Sequence, residues 1–162
     1  MKDTCRCNAT SKLTPEQEYQ LYLAVKTAWR VEDIYPFPGR ATVALWAVRS
    51  RWGEWQPGFN PFGLHSWQGT GYKPVIFRSM SDAFRRLNAA IALHPKYTQN
   101  LIRYWRGELG LSDFVRTLAR DEEDAEKLLA ALHHPEVIKL WTQALIAGSE
   151  QRTRHSPRNV TT

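Results

Sequence analysis

The chain reads as a mainly α domain (α+β): helices packed round one strongly apolar helix, with a single short β-hairpin. Three observations predict this. Apolar residues recur at helical spacing from Thr14 to about Trp52 and again from Ser81 to about Ala147. Between them, Gln56 to Ser79 is rich in Gly, Pro and aromatic residues, a loop-and-hairpin composition. The 162 residues are 43% hydrophobic and 23% charged, the length and composition of one globular domain. Folding at this size buries roughly two-thirds of the unfolded chain's surface, so the core needs neither a metal nor a disulfide.

The elements follow in order. Residues 1–13 are a polar N-terminal arm. Thr14-Pro15-Glu16-Gln17-Glu18 opens a helix, with Thr as cap, Pro at the first helical position and acids in the first turn. Tyr35-Pro36-Phe37-Pro38-Gly39 breaks it, because two prolines exclude a continuous helix. A second helix is expected from Ala41 to Trp52; its Val43, Ala44, Leu45, Ala47 and Val48 make it apolar enough for the domain centre, and Gly53 ends it. Ser66 to Phe77 suits a hairpin turning at Gly69-Thr70-Gly71. Ser81 and Asp82 cap a helix that stops before Pro95. Further helices are expected over Tyr97–Arg106, Leu111–Ala119, Asp121–Leu132 and Pro135–Ala147. Asp121-Glu122-Glu123-Asp124 reads as a solvated helix N-terminus favoured by the dipole. The domain proper is thus 14–147, and the basic stretch 148–162 reads as a flexible tail.

Charge narrows the partners. The net charge is +6, yet Arg49 to Arg106 holds nine basic residues against two acids, Glu54 and Asp82. The middle therefore carries +7 and the remainder −1. Such a field draws polyanions: an acidic envelope polymer, nucleic acid or an acidic protein. Seven Trp are unusual for this length, and some are expected to line a groove, with packing in the core the equal alternative. Cys5 and Cys7 are too close for an ordinary disulfide and supply two of the four ligands a zinc site wants. His133-His134 lies far from them, so neither a metal nor any other cofactor is expected. No apolar run approaches the roughly 20 residues that span a bilayer. Met1 to Lys12 lacks a secretory signal's apolar stretch, so synthesis in the cytoplasm is expected, with exit by lysis, a dedicated machine or assembly into a virus particle.

Four short motifs stand in a recognisable order: Arg49-Ser50-Arg51-Trp52-Gly53 ending the apolar helix, Asn60-Pro61-Phe62-Gly63-Leu64-His65, Phe77-Arg78-Ser79-Met80-Ser81-Asp82, and His94-Pro95-Lys96-Tyr97. Together they resemble the bacterial β-N-acetylglucosaminidase family of autolysins and flagellum-associated wall hydrolases. The corresponding family stretches are Glu-Ser-x-Trp-Gly, Asn-x-Phe-Gly-Ile-Lys, Phe-Arg-x-Tyr-x-Ser and Asn-Pro-x-Tyr. The resemblance covers Ala41 to about Ala147. It implies a lysozyme-like fold, a peptidoglycan ligand, and cleft positions at Trp52, Phe62 and Tyr97; Trp67 on the hairpin joins them as a substrate-binding candidate.

The departure falls on the catalytic acid. The family's Glu is matched here by Arg49. Glycoside hydrolysis needs a protonated carboxyl group beside the leaving oxygen, with a second group to stabilise the oxocarbenium or activate water. A guanidinium stays charged and delivers no proton. From Glu54 to Asp82 there is no intervening carboxylate, so Glu54 is the one nearby replacement acid. Flanking Trp52 and Trp55 would raise its pKa by desolvation; Arg49 and Arg51 would lower it.

The sequence therefore predicts a non-catalytic, lysozyme-like pseudoenzyme. The resemblance extends this to a phage or prophage tail component, structural or cell-wall-binding, in contact with other virion proteins. The alternative is an active peptidoglycan hydrolase with Glu54 as general acid. A third reading, nucleic-acid binding through the basic middle with Trp52, Trp67, Tyr72 and Trp105, lacks any recognition motif.

Overall fold

The computed structural model describes residues 12–34 and 36–155, the final few through their backbone alone. Among these residues the chain forms α1 (Pro15–Glu32), α2 (Gly39–Ser50), a 3-10 turn (Pro57–Phe59), β1 (His65–Trp67), β2 (Tyr72–Pro74), α3 (Met80–Leu93), α4 (Pro95–Trp105), α5 (Leu111–Thr117), α6 (Glu122–Leu132) and α7 (Pro135–His155). The class is mainly helical with one short antiparallel hairpin, paired Trp67 to Tyr72 and His65 to Pro74.

Helix α1 starts where its cap dictates. Thr14 Oγ1 accepts from the Gln17 amide at 3.2 Å, and Gln17 Oε1 accepts from the Thr14 amide at 2.9 Å, a reciprocal capping box. The apolar α2 lies at the centre, with α1 against one side and α6 against another. That position explains its composition: Ala41 to Ala47 are all buried, Trp46 completely. The Trp46 indole still donates to Gln56 Oε1 at 3.0 Å, so its one polar atom is satisfied. Thr42 Oγ1 donates to Asn88 Oδ1 at 3.0 Å, a buried link from α2 to α3. Phe37, Phe84, Phe114, Leu21, Leu128 and Leu132 complete the core.

Several boundaries shift, each for a local reason. Helix α2 begins at Gly39 and stops at Ser50, because Arg51 and Trp52 turn left-handed. The α3 cap is Ser79, not Ser81: its Oγ accepts from the Asp82 amide at 3.2 Å. His94 caps α4, which therefore starts at Pro95. Helix α7 runs through Gly148 to His155, where a flexible tail from 148 was expected. The Trp29 ring lies so close to Gly148 that a Cβ there would collide with it, so tertiary packing carries the helix past its weak residue. Leu13, assigned to the arm, is buried in the core. Cys5, Cys7 and the stretch 156–162 lie outside the described residues.

The tryptophans divide. Trp46 and Trp141 are core; Trp55, Trp67 and Trp105 are more than half exposed.

Candidate functional site

The motif after the central helix is a helix stop. Arg51, Trp52 and Gly53 have φ of 52°, 59° and 92°, and the Trp52 amide closes the turn on the Ala47 carbonyl at 2.8 Å. Ser50 is fully buried; its Oγ donates to the Trp46 carbonyl at 2.6 Å and accepts from the Gly53 amide at 2.9 Å. Gly53 is required twice over, by its φ and by the Gln20 side chain, which a Cβ would strike.

Arg49 sits in the last turn of α2, its side chain only 12% exposed. Its guanidinium forks onto Asp124 in the first turn of α6: Nη1 donates to Oδ1 at 2.5 Å and Nη2 to Oδ2 at 2.7 Å. Asp124 Oδ2 also accepts from the Arg120 amide at 2.9 Å. The bond from Arg49 holds the Asp124 carboxyl below the usual carboxylate range, against the upward pull of burial. Each charge also complements its own helix, a cation at a C-terminal end and an anion at an N-terminal end. The sequence led us to expect a wholly solvated acidic run at the α6 start; Asp124 departs from that, its side chain 12% exposed. Asp124 is a part-buried tie across a separation of 75 residues, a partner no local pattern announces. The pair is a poor proton donor: the guanidinium keeps its proton, and the bond from Arg49 favours the ionised form of the Asp124 carboxyl.

Glu54, the alternative acid, lies on the surface beyond the turn, where its Oε1 accepts from Gln17 Nε2 at 3.0 Å. Burial pushes up the carboxyl of Glu32, a residue that sequence reasoning passed over. It accepts from the Gly39 amide at 3.1 Å and so caps α2 at the end opposite Arg49. The signal for it was a Glu placed just before a proline-rich break.

The four aromatic candidates belong to four different ring pairs. Trp52 is half-buried on His134, with centroids 4.9 Å apart. Phe62 packs edge-on against core Phe84 at 5.9 Å. Tyr97 lies 5.4 Å from His94, and Lys96 Nζ stands over its ring at 5.3 Å. Trp67 is the exposed one, 63%, crossing Tyr72 on the hairpin at 5.5 Å.

Asn60 positions that hairpin. Its buried amide donates from Nδ2 to the Leu64 carbonyl at 2.8 Å and the Val75 carbonyl at 3.0 Å, while Oδ1 accepts from the Leu64 amide at 3.0 Å. This is the physical reason for Asn at the head of the second motif. Beyond the hairpin, Arg78, Arg85 and Arg86 line an open hollow of about 480 Å³ together with Phe77 and Ala89. Among the described residues none of these three guanidiniums pairs with a carboxylate, although Asp82 borders the same hollow. Ile76, 83% exposed, joins this basic shelf to the Trp67–Tyr72 hairpin.

No protein-family model, curated protein or solved structure matches the chain.

Proposed function

We propose that the protein is a non-catalytic, lysozyme-like module of the glucosaminidase type that binds an acidic cell-envelope polymer, peptidoglycan included. We place it in the tail of a phage or prophage particle by analogy with the wall hydrolases its motifs resemble. One observation carries the loss of catalysis: the guanidinium at the position matching the family's acid is engaged by Asp124 as a tie between helices. The binding surface is the basic shelf of Arg78, Arg85 and Arg86 with the hairpin rings Trp67 and Tyr72. Guanidiniums with no carboxylate partner among the described residues, on the segment that follows the exposed hairpin rings, suit a chain of anionic and sugar groups.

Sedimentation with isolated cell walls tests this. The protein is expected to pellet with walls and to release no soluble fragments. The Arg78→Ala/Arg85→Ala/Arg86→Ala variant is expected to bind at least tenfold more weakly, and added salt to weaken the parent. A triple variant that pellets like the parent would refute the assignment of the shelf.

A further inference from the structure

A second surface shares no residue with the shelf. Helices α1 and α7 pack against each other and leave a groove of about 310 Å³ between them. Val25 and Trp29 line it from α1, and Leu140 and Ala144 from α7. The lining residues recur at three- and four-residue spacing on both helices, so two complete helical faces converge on one trough. From Leu140 to Gln151 the trough is about 16 Å long, roughly three turns of helix. The small side chains of Ala144 and Ala147 keep the α7 wall of the trough low, while Trp29 closes the space over Gly148.

The rim states the charge of the occupant. Lys26 and Arg30, one turn apart on α1, border the groove, and no acid lines it. Among the described residues neither cation pairs with a carboxylate. Covering them with an apolar or basic partner would strand two charges, whereas an acidic one satisfies both. We infer that the α1–α7 groove docks an amphipathic helix of another protein. Its apolar stripe fills the trough and its acids, one turn apart, meet Lys26 and Arg30. A second copy of this chain does not fit the role. Its strongly acidic helix, α6, already buries Ala125, Leu128 and Leu132 in its own core.

The test uses the full chain and two labelled 18-residue helical peptides with identical leucine stripes, one flanked by Glu and one by Lys, read by fluorescence anisotropy. The Glu peptide is expected to bind at least tenfold more tightly than the Lys peptide. Lys26→Glu/Arg30→Glu, both at exposed positions, is expected to invert that preference. Ala147→Trp, also exposed, fills the trough and is expected to abolish binding. Arg103→Glu/Arg106→Glu, at the end of α4, matches the change in net charge away from the groove and is expected to leave affinity within twofold. Three results would overturn the inference: equal binding of both peptides, equal loss in the distant charge variant, or dodecanoate binding in the groove with no binding of either peptide. All are independent of wall binding, so this inference and the proposed function fail separately.

Discussion

At the scale of single residues, Arg49 and Asp124 carry the account. A forked guanidinium–carboxylate pair, 12% exposed on each side, loses both its hydrogen bonds and its charge balance when one member is removed. Arg49→Ala is expected to cost about 2–3 kcal/mol and Asp124→Ala a similar amount. The double variant should cost clearly less than the sum, since each single change strands the other charge. Denaturant midpoints across the cycle measure this; additive losses would show that the two residues do not act together. The pH dependence has a defined sign. Because Arg49 holds the Asp124 carboxyl below its unfolded value, the pair's contribution is complete above the ordinary carboxylate range and fades as pH falls through the lowered one.

Glu32 has the opposite sign. Burial raises its carboxyl, so its contribution is complete below the ordinary carboxylate range and is lost as pH rises through the raised value. Glu32→Gln keeps an acceptor for the Gly39 amide and removes the part-buried charge. Its melting temperature is expected to exceed the parent's at pH 7, with the gain shrinking towards pH 4. A gain that grows on acidification would contradict the assignment.

At the scale of elements, much was legible and the rest was hidden for physical reasons. The α1 cap, the break at Pro36 and Pro38, the hairpin and the start of α6 to within one residue each depend on residues within a few positions of one another, and the sequence displays them. The end of α7 was misread because Gly148 is locally a stop signal, and only Trp29, far away in the chain, reverses it. The end of α2 was placed two residues late because left-handed Arg51 and Trp52 have no compositional mark. The hairpin's anchor is Asn60, whose three bonds hold the loop to both flanks of the sheet. Asn60→Ala strands the Leu64 amide and the Val75 carbonyl, while the Leu64 carbonyl keeps the Val75 amide at 2.9 Å, and is expected to cost about 2–3 kcal/mol. The same change should weaken wall binding by displacing Trp67 and Tyr72. A variant as stable as the parent would show that the hairpin is held by other contacts.

At the scale of the molecule, class and core were readable because α2 is apolar on nearly every side and so had to lie at the centre. The site was readable only as a set of motifs. Ser50 and Gly53 build the turn, Asn60 braces the hairpin, and Trp52 and Phe62 pack half-buried, so most motif positions also serve the fold. What the sequence withheld was the partner of Arg49, since a tie spanning 75 positions leaves no periodicity. The basic middle is likewise not one surface. Arg49 is consumed inside the fold, and Arg78, Arg85 and Arg86 remain outside with the hairpin. The most direct measurement is release of reducing ends from purified peptidoglycan by the parent and by Glu54→Gln, followed from pH 4 to pH 8. Neither protein is expected to release any at any pH; release by the parent that disappears in Glu54→Gln would make the protein a hydrolase and contradict the account.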